Sequence, residues 1–276
     1  MLRPGSSLSN PRSNHLAVNV SKTPSAEYAK DLEATVRNRR RLDENKNLLW
    51  WYRELYRDQF RSLGEVGQLK VLEIGSGVSP LVRFYPTVKT SDVLELDYVD
   101  YVFDCHHIDE LAAIADSTVD VITLTNVLHH LKKPIDFLLK AARKLKPGAV
   151  LIATEPFFSV ISTPIYRCLH HEPVDFAIEK PELAEVRGPL FSSNQALPWL
   201  IFTRPEWRRQ IEQQYRINPP GLRPYTALAY FASGGISHRI PIPHFAYCPL
   251  FAMDLWLSRC FPRFAASFFT ISLTRK

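Results

Sequence analysis

The chain has 276 residues and a net charge of +6 at pH 7, with 46% hydrophobic and 22% charged residues. This length can bury a sizeable core in one large domain or two small ones, and the composition excludes collagen-like, coiled-coil and wholly disordered chains. No stretch without Asp, Glu, Lys or Arg reaches the ~20 apolar residues that span a bilayer, so we expect no transmembrane helix.

The cysteines are too scattered to form a recognisable site. Cys105, Cys168, Cys248 and Cys260 lie far apart and include no C-x-x-C pair. This spacing favours neither a zinc site nor a disulfide framework, and we expect a reducing, cytoplasmic location.

The N-terminal part divides into a tail and a helical cap. Residues 1–25 are rich in Ser and Pro and contain no acid, which predicts a disordered tail, and whether it is a targeting segment stays open. In residues 26–66, apolar side chains such as Leu48, Tyr52 and Leu55 recur at helical spacing. We predict one or two helices that form a cap.

From residue 67 to residue 276 short apolar runs alternate with helical or turn segments, which is typical of a parallel α/β sheet. The clearest helix begins near Pro134 and stops at Pro147-Gly148. A helix over 204–212 and strands over 214–217 and 268–273 are predicted to follow, the two strands closing the sheet as an antiparallel pair. The earlier predicted strands are Leu69–Ile74, Val88–Ser91, Tyr98–Phe103, Val119–Leu124 and Val150–Thr154.

The first of these strands ends in the pattern Glu73-x-Gly75-Ser76-Gly77. Glycine lets the backbone approach a ligand at the carboxyl end of a strand, where open α/β sheets bind their ligands. The acid before the first glycine favours a ligand with a cationic amine. Pro80 stands where the dinucleotide fingerprint requires its third glycine, which disfavours a dinucleotide.

These residues are followed in order by Ser91-Asp92, Phe103-Asp104-Cys105, Asn126–His130 and Leu145–Leu151. With this series the chain resembles the class I S-adenosylmethionine (SAM)-dependent methyltransferases, in the small-molecule branch. The resemblance implies a Rossmann-like, mostly parallel sheet whose last strand is antiparallel, with SAM as cofactor. It also implies that Asp92 binds the ribose hydroxyls and that Asp104 and Cys105 read the adenine. The cofactor-binding residues expected from this resemblance are Glu73, Gly75, Ser76, Gly77, Asp92, Asp104, Cys105 and Asn126.

Methyl transfer to a hydroxyl or carboxyl acceptor needs a group that accepts a proton near the ends of the fourth and fifth strands. His129, His130 and Glu155 are the candidate catalytic residues there. His130 has a second interpretation as a polar cap of the following helix, and both stay open.

Other paired histidines raise the question of a metal site. His106-His107 and His170-His171 are sequence neighbours, and neighbours in an extended chain point apart, whereas metal-binding pairs on helices usually stand three or four residues apart. The sequence therefore predicts no metal site.

Two segments are longer than ordinary connections and are predicted to be inserts that choose the acceptor. The insert over 157–202 contains the candidate acceptor-binding residues His171, Asn194 and Trp199. The insert over 219–264 is aromatic, contains Tyr230, and is predicted to form a lid. Such a lid suits a small-molecule, glycan or lipid-linked acceptor.

The positive charge is concentrated near the C-terminus, where residues 201–276 hold ten Lys or Arg against three Asp or Glu. Basic residues among aromatic ones fit either peripheral contact with an anionic membrane or an aromatic core beneath solvated arginines, and no nucleic-acid partner is expected. Two other functions stay open, an NAD(P)-dependent reductase and a non-catalytic binding module with a methyltransferase-like fold. The oligomeric state also stays open.

Overall fold

The computed structural model describes residues 16–17, 26–168, 172–186, 188, 192–235 and 242–276. Most of the predicted tail therefore lies outside the described residues, although Leu16–Ala17 form a short strand. None of the helices in the described ranges combines the length and the apolar character needed to cross a membrane.

The described residues form one nine-stranded sheet in the order β1-β4-β3-β2-β5-β6-β9-β7, with β8 paired to β9. The first six strands of this order pair in parallel, and β9 is antiparallel to β6, β7 and β8. The predicted Rossmann-like sheet with an antiparallel last strand is thus confirmed. The strands are β1 (Leu16–Ala17), β2 (Val71–Ile74), β3 (Lys89–Asp92), β4 (Tyr101–Val102), β5 (Val119–Thr125), β6 (Leu145–Pro156), β7 (Tyr215–Ile217), β8 (Arg223–Tyr225) and β9 (Phe268–Arg275).

The helices lie on both faces of this sheet. The clearest predicted helix is α4, which begins at Pro134 but ends at Lys144, because Pro147 and Gly148 already belong to β6. The helix predicted over 204–212 begins at Pro205 and ends at Ile211, with Arg204 in the N-cap position. The helices are α1 (Ala26–Glu44), α2 (Lys46–Gln59), α3 (Leu81–Phe84), α4 (Pro134–Lys144), α5 (Ser162–Cys168), α6 (Ala196–Thr203), α7 (Pro205–Ile211), α8 (Ala229–Ala232) and α9 (His244–Cys260).

The connections after β2 and β3 are short. Only the four-residue helix α3 lies between β2 and β3, and turns without an α-helix join β3 to β4. No long connecting helix therefore covers the carboxyl ends of β2 and β3. The N-terminal helices and the inserts can pack there instead.

Alternating side chains of the strands supply two separate cores. Val71, Val121 and Ile152 pack on one face with Trp51 and other residues of α2. Neighbouring residues of the same strands, including Leu72 and Ile122, pack on the other face with α4 and α6. Helix α2, which belongs to the predicted cap, therefore shares a core with one face of the sheet.

Candidate active site

The strand order reverses beside β2, which has β3 on one side and β5 on the other. Open α/β sheets bind ligands in the crevice at such a point, outside the carboxyl ends of the strands. Here the crevice is a cavity of about 1060 Å³. This is at the upper end of the ~300–1000 Å³ found for ligand pockets, so it can hold more than one small molecule.

The glycine turn after β2 forms one wall of this cavity. Gly75 has φ of +75°, and a Cβ atom there would lie 2.5 Å from Cγ2 of Val127. A Cβ atom on Gly77 would lie 2.8 Å from Cγ2 of Thr35 in α1. Both positions therefore require glycine, and the backbone of the turn is brought close to the cavity.

Asp92, at the end of β3, lies beside this turn and lines the cavity. Its carboxylate accepts hydrogen bonds from the backbone N–H groups of Gly77 at 2.8 Å and Leu94 at 2.9 Å. Burial raises the pKa of Asp92, and the backbone hydrogen bonds offset part of that rise. The acid thus stabilises the turn and presents its carboxylate to the cavity.

Glu73 and Ser76, both expected to bind the cofactor, lie behind the turn and are not among the residues that line the cavity. Ser76 Oγ donates to Glu73 at 2.8 Å, and Ser79 Oγ donates to the other carboxylate oxygen. Burial raises the pKa of Glu73 to about 7, against these two hydrogen bonds. The structure therefore places the acid of the motif inside the turn, which it stabilises, rather than at the cavity surface.

Asp104, Cys105 and Asn126 all line the cavity. Asp104 Oδ1 accepts from the backbone and ring nitrogens of His106, and these bonds lower the pKa of Asp104 although burial opposes them. Asn126 has φ of +57°, and its buried Oδ1 atom has no hydrogen-bond partner among the described residues. Since a buried amide oxygen normally has a donor, this atom indicates a ligand that supplies one.

A buried ion-pair network starts at Glu155, at the end of β6. One carboxylate oxygen accepts from the N–H groups of Val127 and Leu128, and the other is 2.6 Å from His129 Nδ1. His129 Nε2 is 3.2 Å from Glu172 Oε2. Burial alone would lower the pKa of His129, but the two carboxylates outweigh it and raise that pKa to about 10.

His130 extends the network to the cavity wall. Its Nδ1 atom is 3.1 Å from the carbonyl oxygen of Ser192, and because a carbonyl only accepts, Nδ1 carries a proton. In the neutral ring Nε2 then keeps its lone pair, and it lies 3.8 Å from Glu172 Oε1. His129, His130 and Glu172 all line the cavity, whereas Glu155 lies behind them. We call His129, His130 and Glu172 the polar wall.

The candidate acceptor-binding residues have different positions. Tyr230 lines the cavity. Asn194 binds the backbone of Asp175 through both its amide oxygen and its amide nitrogen, and Trp199 packs edge-on against Phe176. Neither Asn194 nor Trp199 is among the cavity-lining residues, so both hold the insert together. His171 lies outside the described residues.

The sequence missed the two contributions that come from remote segments. Glu172 follows the pair His170-His171 in the sequence, but it faces His129 and His130, more than 40 positions earlier. Helix α1 places Thr35 at the cavity, and Arg39 donates to the carbonyl oxygen of Ser79 at 2.8 Å. A polar residue inside an overlong connection was the signal for Glu172, and no local pattern indicates that α1, which belongs to the predicted cap, reaches the cavity.

Comparison with known proteins gives one family. The family model for a methyltransferase domain matches residues 28–213. A search of curated proteins finds no match. Similar solved structures include a SAM-dependent methyltransferase from Archaeoglobus fulgidus, with 13% identity, coverage of 81% of this chain and 94% of that chain, and a TM-score of 0.46. Another is a methyltransferase of Haloferax volcanii in complex with the activator Trm112, with 13% identity, coverage of 91% and 99%, and a TM-score of 0.49.

Proposed function

The chain belongs to the class I SAM-dependent methyltransferase family, and we propose that it methylates a lipid-linked acceptor that it meets at an anionic membrane surface. Its cofactor is SAM, which when bound supplies an electrophilic methyl group on a sulfonium sulfur. Positioning the acceptor's nucleophile in line with such a group provides most of the acceleration. The chain must therefore hold SAM and the acceptor in a fixed relative position.

The residues around the glycine turn fit SAM. The two positions that a Cβ would fill, Gly75 and Gly77, allow the backbone to approach the ligand. Asp92 offers a carboxylate for the ribose hydroxyls, and the Oδ1 atom of Asn126 offers an acceptor for the cofactor's ammonium group. Asp104, with Cys105 after it, faces the same part of the cavity and is assigned to the adenine.

The other part of the cavity is aromatic. Its side chains come from α2, from the two inserts and from the start of β9, not from the strand ends that hold the cofactor. An aromatic wall of this kind suits an acceptor with a hydrocarbon portion, because each ring offers a large apolar contact area. The residues are Tyr52, Tyr166, Tyr230, Phe231 and Phe268.

The polar wall marks the place of the acceptor's nucleophilic group. His129 is protonated at neutral pH between Glu155 and Glu172, so it is a donor rather than a base. This leaves His130 Nε2 with its lone pair, and the Glu172 carboxylate beside it, to receive a hydrogen bond from an acceptor hydroxyl. We assign His130 and Glu172 to contact with the acceptor and Glu155 to positioning His129.

Helix α9 presents an apolar face to solvent. Phe245 is 82% exposed, and Met253 and Trp256 are each 59% exposed, on the side of the helix opposite the buried Tyr247 and Phe251. The face continues beyond the helix to Phe261, Phe264 and Val160, all more than half exposed. Contiguous exposed aromatic and aliphatic side chains of this size mark an interaction surface. We call these six residues the α9 face.

Charge at the edge of the α9 face favours anionic lipid as its partner. Asp58 is the carboxylate for three arginines, with Arg223 and Arg259 at hydrogen-bond distance and Arg61 at 3.7 Å. Three positive groups around one carboxylate leave a surplus of positive charge. An apolar helix face with basic residues beside it is typical of helices that lie in a membrane interface.

The α9 face is joined to the aromatic part of the cavity. Asp254, on the inner side of α9, accepts from the N–H groups of Ala227 and Ala229 at the start of α8, and α8 contributes Tyr230 to the cavity. On the other side, Val160 N donates to the carbonyl oxygen of Arg263. A lipid at this face is therefore close to the elements that line the acceptor's part of the cavity.

The observation that carries the proposal is this sharing of elements between the exposed α9 face and the aromatic cavity wall.

The test is incubation of the protein with methyl-labelled SAM and a cell extract, which is then separated into lipid, glycan, small-molecule, protein and nucleic-acid fractions. Label is expected in the lipid fraction. Label confined to another fraction would contradict the lipid-linked acceptor, and no label in any fraction despite intact binding of S-adenosylhomocysteine (SAH) would favour a non-catalytic role.

A further inference from the structure

The polar wall brings three metal-binding atoms together. One atom each from His129, His130 and Glu172 lie within 4.8 Å of one another. The two closest approaches to Glu172 oxygens are 3.2 Å from His129 Nε2 and 3.8 Å from His130 Nε2. Atoms that each lie ~2.0–2.2 Å from one ion are ~3–3.5 Å apart, so small side-chain rotations bring all three onto a common ion.

The wall is built in the way that metal sites are built. Each histidine is held through its Nδ1 atom, His129 by the buried Glu155 and His130 by the Ser192 carbonyl, so both Nε2 atoms point to the same place. Gln195 Nε2 donates to Glu172 Oε2 at 3.0 Å and orients that carboxylate. Histidine ligands in metalloproteins are held by such carboxylate and carbonyl partners.

The adjacency of the two histidines does not prevent this arrangement. The sequence predicts no metal site because neighbouring side chains in an extended chain point apart. His129 and His130 instead lie in a 3₁₀ turn at Leu128–His130, their ring centroids are 4.2 Å apart, and Glu172 reaches both from the insert. The third ligand is therefore supplied by a segment that the pairwise spacing does not include.

We propose that His129 Nε2, His130 Nε2 and the Glu172 carboxylate bind one divalent first-row transition metal ion at the wall of the cavity, and that His129 then releases to solvent the Nε2 proton that it otherwise shares with Glu172. Two imidazoles and one carboxylate are a donor set for Zn²⁺, Fe²⁺ or Co²⁺ rather than for Mg²⁺ or Ca²⁺, which take oxygen ligands. Three protein ligands leave the remaining coordination positions open to the cavity, as in catalytic zinc sites.

The consequence for the reaction rests on the proposed function. If the acceptor's nucleophile binds at the polar wall, the ion holds the acceptor's oxygen in place of a direct hydrogen bond to His130. The ion then belongs to the acceptor site, and the SAM-binding residues keep their roles. Metal binding itself is measurable without an acceptor.

A second group of possible ligands, Asp104, Cys105 and His106, is the alternative location. Asp104 already binds the His106 ring through Oδ1 at 2.7 Å, and burial raises the pKa of the Cys105 thiol, which disfavours the thiolate that a metal needs. The polar wall needs no thiolate ligand, and a single substitution separates the two locations.

The experiment uses the full chain without a polyhistidine tag, freed of metal with a chelator that is then removed. Co²⁺ is added while its visible absorption is recorded, and Zn²⁺ binding is measured by calorimetry. One equivalent is expected to bind. Glu172→Gln and His130→Gln should each weaken binding at least about tenfold, and Glu155→Gln about 10–100-fold as the partner of a ligand. His107→Ala, an exposed histidine paired with Glu110, is the matched control and should bind as wild type.

Each outcome is informative because SAH affinity and circular dichroism are measured on the same proteins. Loss of metal in Glu172→Gln and His130→Gln proteins that still fold and bind SAH supports the site. No saturable binding to wild type, or loss in His106→Gln but not in Glu172→Gln, overturns it. Metal binding at the wall without methyl transfer to any fraction would contradict the proposed function and leave the metal site standing.

Discussion

The Oδ2 atom of Asp92 accepts a hydrogen bond from the backbone N–H of Gly77 at 2.8 Å, so the acid at the end of β3 holds the glycine turn at the end of β2. Asp92→Ala should lower SAH affinity about 10–100-fold, because a hydrogen bond to a charged group contributes about 1.5–3 kcal/mol. Calorimetry on folded protein measures this. Asp97→Ala, an exposed acid five residues later, is the matched control. Equal affinity in the two variants would remove Asp92 from the cofactor site.

Gly75 and Gly148 separate the effect of backbone strain from that of lost space. Their φ values are +75° and +77°, but a Cβ would meet Val127 at 2.5 Å in Gly75 and nothing within 4 Å in Gly148. Both Gly→Ala variants should lose about 1–2 kcal/mol of unfolding free energy from strain. Only Gly75→Ala should also lose SAH affinity and further stability, as measured by calorimetry and urea unfolding. Similar losses of SAH affinity in both would contradict the assigned turn.

The buried Glu73 predicts a dependence of stability on pH. Its pKa is about 7 in the folded protein against 4.5 ordinarily, so between these values the folded state binds more protons than the unfolded state. Stability should therefore fall as pH rises from about 4.5 to 7, by roughly 2–3 kcal/mol from this group. Glu73→Gln should reduce that slope in urea unfolding without cofactor. Glu65→Gln, on an exposed turn, should keep it, and a wild-type slope in Glu73→Gln would refute the assignment.

The sheet was predictable because its signals are local. The helix that begins at Pro134 and the pairing of the strands near 214–217 and 268–273 follow from periodicity and chain order. Strand β8 was not predicted, because Arg223-Pro224-Tyr225 is short and contains proline. It pairs with β9 along the opposite edge from β6, a contact that only tertiary structure creates.

The candidate site was likewise predictable where its residues belong to a local motif. Gly75, Gly77 and Asp92 carry a local motif, and the structure brings them together at the cavity. Glu73 belongs to the same motif, but its buried carboxylate accepts hydrogen bonds from Ser76 and Ser79 and lies away from the cavity. The spacing of the motif alone does not reveal this. Glu172 reaches its partners through an irregular insert, so no periodicity connects them.

The α9 face makes a prediction about lipid binding. Replacing Trp256 and Phe264 together with Ser should weaken binding to vesicles that contain anionic lipid at least about tenfold, because burying one large apolar side chain contributes about 1.5–3 kcal/mol. Arg259→Gln, at an arginine of the group around Asp58, should weaken it about fivefold, whereas Arg209→Gln, at an exposed arginine on α7, should not. Co-sedimentation at low and high salt measures both. Equal binding to neutral and anionic vesicles would contradict the role of charge.

Two aromatic residues of the inserts test the division of the cavity between cofactor and acceptor. Tyr230 lines the cavity, whereas Trp199 packs on Phe176 away from it. Tyr230→Leu should lower kcat/KM for the lipid acceptor at least about tenfold, a loss of about 1.4 kcal/mol, with SAH affinity unchanged. Trp199→Leu should leave both quantities near wild type.

The most direct test of the proposed lipid-linked acceptor measures transfer of label from SAM to the lipid fraction by wild type, Tyr230→Leu and Trp199→Leu. SAH affinity is determined for each protein. We expect label in lipid, a selective loss of transfer in Tyr230→Leu, and the same SAH affinity in all three proteins. Undiminished transfer in Tyr230→Leu, or label that enters a water-soluble fraction instead of lipid, would contradict it.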